Sequence, residues 1–119
     1  MIVKAYAKIN LALKVKGKNK DGYHDLDMIM LPLELHDSID ISLLPDIYET
    51  YVTCDDFSLE TGEYNLCSIA VRKMKEKFKI NKSFRIHIHK NIPIGAGLGG
   101  GSANAAAVIR AIKDLLKLH

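Results

Sequence analysis

Pro93-Ile94-Gly95-Ala96-Gly97-Leu98-Gly99-Gly100-Gly101-Ser102-Ala103-Asn104-Ala105-Ala106 is the stretch on which the reading of this chain turns. Five of the chain's eight glycines fall within residues 95–101. Glycine loses more conformational freedom on folding than any other residue, so such a cluster calls for a backbone reason: positive φ, or close approach of a ligand. The cluster opens onto a helical pattern from about Ser102, where unpaired N–H groups and the helix dipole favour an anion. Side chains would shield those amides, and glycines leave them bare. The plain alternative is a flexible loop.

The glycines do not by themselves say which anion. Gly95-x-Gly97-x-x-Gly100 matches the dinucleotide-binding fingerprint as a string. That fingerprint wants a buried parallel strand running straight into the turn and an acid about twenty residues on. Here the preceding strand alternates Phe84-Arg85-Ile86-His87-Ile88-His89, Asn91-Ile92-Pro93 intervenes, and no second βα unit follows. A Walker A loop fails differently, because Gly101 stands where its lysine should be.

Working outward from the loop, the periodicity changes twice. Downstream, Ile109, Ile112, Leu115 and Leu116 lie on a helix with Arg110, Lys113, Asp114 and Lys117 as its polar stripe. Upstream, Leu66, Ile69, Ala70, Met74 and Phe78 share one face of another helix. Before that the chain is extended. Ile2 to Tyr6 and the alternating Ile9, Leu11, Leu13 and Val15 predict strands, with a turn over Gly17 to Gly22. His24 to Leu35 reads as extended, with Pro32 marking an edge or bulge, and His36-Asp37-Ser38 as a short turn. Ile39, Ile41 and Leu43 then predict another strand, Ile47 to Thr53 a weaker one, and Cys54 to Glu63 an acidic loop. Strands, helix, strand, glycine loop, helix is an α+β order.

Bulk composition narrows the function classes. The 119 residues are 48% hydrophobic and 26% charged, ordinary values for one globular domain spanning 1–119. No run approaches the ~18 apolar residues of a membrane span, and Lys4 inside the first apolar stretch argues against a signal peptide. Cys54 and Cys67 are too few for a disulfide scaffold and are not spaced as metal ligands. A net charge of +3 suits an anionic ligand without demanding nucleic acid.

One family matches the loop where the two common phosphate loops do not. Pro93-x-Gly95-x-Gly97-Leu98-Gly99-Gly100-Gly101-Ser102-Ala103-Asn104-Ala105-Ala106 resembles the phosphate loop of the GHMP kinases, among them galactokinase, homoserine kinase and mevalonate kinase. The triple glycine and Asn104 resemble the branch whose substrate is 4-diphosphocytidyl-2-C-methyl-D-erythritol. Three further segments match that branch in order: Ala7-Lys8-Ile9-Asn10-Leu11, Asp21-Gly22-Tyr23-His24-Asp25-Leu26, and Leu33-x-Leu35-x-Asp37-Ser38-Ile39. Asn65-Leu66 at the first helix agrees as well.

The resemblance implies a GHMP N-terminal domain related to the second domain of ribosomal protein S5, a mixed sheet with helices packed on it. It implies transfer of the γ-phosphoryl group of ATP, with Mg2+, to the 2-hydroxyl of 4-diphosphocytidyl-2-C-methyl-D-erythritol in isoprenoid precursor biosynthesis. Pro93, Ile94, Gly95, Ala96, Gly97, Leu98, Gly99, Gly100, Gly101, Ser102 and Ala103 would hold the ATP phosphates, and Asn65 and Leu66 would lie near the adenine. Lys8 matches the catalytic lysine, Asn10 would bind the erythritol hydroxyls, and Tyr23 and His24 would hold the cytosine. No residue is assigned to a metal. Taken without the family, Lys8 is an outward strand lysine, Tyr23 a hairpin aromatic and Asn65 a helix N-cap.

The resemblance also carries an expectation about extent. Members carry a catalytic aspartate in a Gly-Ala-Asp-Val-Pro-type segment, and nothing after Asn104 resembles it. The chain is therefore expected to be the N-terminal piece of a larger bacterial cytoplasmic enzyme, inactive alone and prone to self-association through bared apolar surface. Other readings remain: an RNA-binding S5-like module using the basic run Arg72 to Lys82, a nicotinamide-dependent oxidoreductase, or a GHMP kinase with another substrate. The Arg72 to Lys82 run has the spacing of a solvated helix face, and His87 with His89 that of a polar sheet face rather than a metal pair.

Overall fold

A computed structural model describes residues 1–11, 14–16, 23–25 and 29–118. The expected turn over Gly17 to Gly22 and the alternating position Leu13 lie outside the described residues. The elements are β1 (Ile2–Leu11), β2 (Lys14–Lys16), β3 (Tyr23–Asp25), β4 (Ile29–Pro45), β5 (Tyr51–Cys54), α1 (Leu66–Phe78), β6 (Lys82–His89) and α2 (Gly100–Leu115). Four strands form a mixed sheet in the order β1-β4-β6-β5, and β2 with β3 forms a separate antiparallel ribbon. β4 runs antiparallel to both β1 and β6, whereas β5 is parallel to β6, with α1 as the crossover between them.

Alternation along the strands decides which sheet face is covered. Ile39 and Ile41 on β4 and Phe84, Ile86 and Ile88 on β6 are fully buried, and Val71, Met74, Val108 and Ile112 of the helices complete the core. Ala103, Ala107 and Ala111 recur at four-residue spacing along α2 and are buried. With Ala5 and Ala7 buried on β1, these small side chains let α2 lie close against the sheet. The intervening residues Arg85, His87, Thr53 and Asp40 stay at least partly solvated.

Three expectations need correcting. His36-Asp37-Ser38 is not a turn: β4 continues through it, with Asp37 opposite Ala5 and Ser38 opposite both Lys4 and His89. Polar residues there read as a turn because sequence cannot show that tertiary partners satisfy the Asp37 carboxylate. The weaker strand is confined to Tyr51–Cys54, since residues 46–48 turn, with the Tyr48 N–H donating to the Pro45 carbonyl at 3.0 Å. α2 starts at Gly100, two residues before the expected Ser102, because glycines fill its first turn. Pro32 behaves as expected, standing opposite Lys8 where the β1–β4 register slips.

Both helices end without a glycine. α1 closes on Lys79 at φ 52°, whose N–H donates to the Lys75 carbonyl, and Ile80 donates to the same carbonyl at 3.1 Å. α2 closes through Lys117 at φ 53°, with the Leu118 N–H donating to the Lys113 carbonyl at 2.9 Å. A lysine in the left-handed region is strained, but its charge suits the negative end of the helix dipole.

Candidate functional site

The glycine segment lies where β1, the end of β6 and the start of α2 converge. Gly95, Gly97 and Gly99 all have φ near +70°, between 68° and 74°. Gly99 is the N-cap of α2 and supplies no side-chain cap; the Ala103 N–H is the first to bond within the helix, to the Gly99 carbonyl at 2.8 Å. The N–H groups of Gly100, Gly101 and Ser102 precede that bond and belong to the first turn, whose amides have no intrahelical acceptor. A side chain at Gly95, Gly97 or Gly99 would meet nothing within 4 Å. Positive φ, not crowding, requires glycine there. Gly100 is the opposite case: a Cβ would sit 2.9 Å from Lys90 Nζ and 3.1 Å from Ile92.

Lys8 is brought to this loop by the backbone. Between Tyr6 and Lys8 the β1–β4 register moves from His36 to Pro32, and the Lys8 N–H donates to the Leu98 carbonyl at 2.9 Å. Lys8 and Asn10 are both exposed and share a strand face. Pro93, Ile94, Gly95, Ala96 and Gly97 are exposed and Leu98 half-buried, while Ser102 is exposed and Ala103 buried against the core. On the other side of the loop, Asn65 caps α1: its Oδ1 accepts from the Cys67 N–H at 2.8 Å and its amide donates to the Glu60 carbonyl at 2.7 Å. Leu66 follows it and would touch a Cβ on Gly101 at 3.1 Å. Leu59, Tyr64, Asn65, Leu66, Gly101 and Asn104 are among the residues around a cavity of about 180 Å³. Tyr23 and His24 pair with Lys16 and Val15 in the β2–β3 ribbon, and their rings lie outside the described part of the structure.

Sequence reasoning gave no role to the group that anchors the loop. Asp37 is fully buried and accepts four hydrogen bonds. Oδ1 takes the N–H groups of Asn91 at 2.6 Å and Ile92 at 2.8 Å; Oδ2 takes Lys90 Nζ at 2.7 Å and Asn104 Nδ2 at 2.8 Å. Lys90 Nζ also reaches Asn104 Oδ1 at 3.2 Å. Burial alone would push the Asp37 carboxyl up, but the Ile92 N–H, the Lys90 ammonium, the Asn91 N–H and the Asn104 amide together hold it below the usual carboxylate range. Asp37 and Asn104 lay within matched segments, so their presence was legible. Lys90 gave no signal beyond ending an alternating strand.

Other candidates fare differently. His87 and His89 stack edge-on with centroids 4.5 Å apart; His87 Nδ1 contacts Thr53 Oγ1 at 2.6 Å, and His89 Nδ1 lies 3.8 Å from Asp55 Oδ2. Among the described residues, no group of three His, Cys, Asp or Glu side chains could hold a metal ion. A larger cavity, about 540 Å³, lies against α1 and β5 with Tyr51, Ser68 and Arg72 in its wall, and none of the expected site residues lines it. Its size does not make it the site, because the bare helix amides and Lys8 are elsewhere. Among the described residues, no helix is long and apolar enough to cross a membrane.

Comparison with known proteins bears on the fold. The family model described as the GHMP kinases N terminal domain matches residues 65–119, which carry α1, β6, the glycine loop and α2. The solved structure of a 4-(cytidine 5'-diphospho)-2C-methyl-D-erythritol kinase superposes with a TM-score of 0.71 at 34% identity, covering 97% of this chain and 40% of that one. The fold is that of a GHMP kinase N-terminal domain. The same GHMP fold is seen in the mevalonate kinase of Methanococcus jannaschii, with a TM-score of 0.73 at 17% identity over 100% of this chain and 41% of that one. In sequence, the chain is 43% identical over 117 residues to the 4-diphosphocytidyl-2-C-methyl-D-erythritol kinase of Clostridium acetobutylicum, covering 98% of this chain. It is 43% identical over 119 residues to the kinase of that name from Caldicellulosiruptor bescii. The chain spans about 41% of the length of each of these two relatives.

Proposed function

We propose that this GHMP domain serves ATP-dependent phosphorylation of the 2-hydroxyl of 4-diphosphocytidyl-2-C-methyl-D-erythritol, a step of non-mevalonate isoprenoid precursor synthesis. The observation that carries this reading is the 2.9 Å bond from the Lys8 N–H to the Leu98 carbonyl, which joins the lysine-bearing strand to the glycine loop. Phosphoryl transfer asks for positioning and charge stabilisation more than for covalent chemistry. The α2 amides from Gly100 to Ser102 would receive the ATP phosphates, with Gly95 to Gly99 keeping side chains out of their way. The Lys8 ammonium would balance charge developing on the transferred group and draw the attacking hydroxyl toward it.

Around that centre, Asn65 and Leu66 border the 180 Å³ cavity beside Gly101, and would face the adenine. Asn10 would hold the erythritol hydroxyls, and Tyr23 with His24 the cytosine. Mg2+ would travel with the ATP, and the described side chains assemble no dedicated set of ligands for it. The names borne by relatives at 43% identity support this substrate over other GHMP substrates. The group that accepts the hydroxyl proton is not among the residues assigned here, so the 119-residue stretch alone is expected to transfer negligibly.

Phosphorus NMR of ATP plus 4-diphosphocytidyl-2-C-methyl-D-erythritol tests the reading, with the natural full-length polypeptide containing this chain. A new phosphomonoester resonance is expected, reduced by about two orders of magnitude or more in rate by Lys8→Ala, the usual scale for losing one electrostatic stabiliser. No transfer by a folded polypeptide would overturn the substrate assignment and turn the search to other GHMP substrates.

A further inference from the structure

The glycine loop has few ties of its own, yet both of its ends converge on one buried group. Residues 90–92 enter the loop, and Asn104 lies one helical turn beyond Gly100 at its exit. Both are bonded to the same Asp37 carboxylate on β4 through the Asn91 and Ile92 N–H groups, Lys90 Nζ and Asn104 Nδ2. Side-chain exposure is 4% for Lys90 and 0% for Asp37, and Asn104 is 2% exposed as a residue. The Lys90 ammonium lies directly under Gly100, where a Cβ would approach it to 2.9 Å. No side-chain nitrogen or oxygen buried among the described residues lacks a partner, so the three side chains are bonded mainly to one another and to the two ends of the loop.

We propose that Asp37, Lys90 and Asn104 form a positioning clamp that fixes the spacing between the two ends of the glycine loop and thereby aims the α2 amides at phosphate. The clamp rests on the phosphate-loop reading given above. Its physical basis is preorganisation: a loop already held in its binding geometry loses less freedom when the anion arrives. Three glycines at positive φ would otherwise leave the segment free to take many conformations. Pairing one positive with one negative charge keeps the clamp neutral, so it can lie in the core directly beneath an anion site without repelling the anion. The three side chains touch the loop from below and act through it.

The test must separate aiming from simple stability. Asp37→Asn combined with Lys90→Met removes both buried charges at once and leaves no lone charge in the core. Asn104→Ala cuts only the tie to α2. Circular dichroism and urea melts establish folding, and competition titrations against a fluorescent nucleotide then give affinities for ATP and for adenosine. The expected result is a ratio of ATP to adenosine affinity lowered by about tenfold or more, the size of one or two charged hydrogen bonds lost. An unchanged ATP-to-adenosine ratio in a folded variant overturns the clamp, whether both affinities hold or both fall together. If the double variant does not fold, Asn104→Ala decides alone by the same ratio. If the unaltered protein shows no preference for ATP over adenosine, the phosphate-loop reading fails and the clamp fails with it.

Discussion

A carboxylate sealed from water resists ionisation unless its neighbours stabilise the charge, and Asp37 has four donors that do so. Its folded pKa is lowered, so between that value and the ordinary ~3.9 the unfolded chain binds more protons than the folded one. The resulting stability is fully present above about pH 5 and is lost as pH falls through the lowered folded value. Urea unfolding between about pH 2 and 5 is therefore expected to show stability rising with pH, with a shallower rise in the Asp37→Asn, Lys90→Met protein. Equal slopes in the two proteins would assign the acid sensitivity to other carboxylates. Cys67 shows the same physics with burial outweighing the nearby Lys90 charge: its thiol is pushed up to about 12, so it behaves as a core side chain at neutral pH.

Among the elements, α1 links the fold to the candidate site through its N-cap. Asn65 is 8% exposed, caps the Cys67 N–H and anchors the preceding loop through the Glu60 carbonyl. Asn65→Ala is expected to lose ~1–2 kcal/mol, the upper part of the range for an N-cap because two hydrogen bonds go. A urea midpoint shift without a change in slope would measure it, and a loss under a few tenths would show that water replaces the cap freely. Asn65 was open between a cap and a nucleotide contact in the sequence. The structure gives it the cap and, in the same place, a wall of the cavity beside Gly101.

For the molecule as a whole, one sheet face is covered by two helices, while the β1–β4 arm extends past β6. β4 pairs with β6 from Ser38 onward, so among the described residues β1 is the one strand beside residues 29–37. Ile29, Met30, Leu31 and Leu35 on that arm are all exposed, Met30 to 58%. Exposed apolar side chains on both faces of a two-stranded arm favour association. Sedimentation of the 119-residue chain is expected to show an average mass that rises with concentration, and less so for Met30→Glu. A monomer mass across the whole range would discard this expectation.

The sequence by itself determined the α+β order, both helices, and the glycine-rich entry into α2, because these rest on local periodicity and on glycine's backbone freedom. It also placed Lys8 and Asn10 on one strand face, since alternation requires no partner. Only the tertiary structure decided that β4 runs unbroken through His36-Asp37-Ser38, that Lys8 meets Leu98 ninety positions away in sequence, and that Lys90 closes the base of the loop. A buried polar group is read from sequence as a turn or a surface residue because its satisfaction comes from distant donors. For Asp37 those donors are 53 to 67 residues along the chain, and folding alone brings them within hydrogen-bond reach.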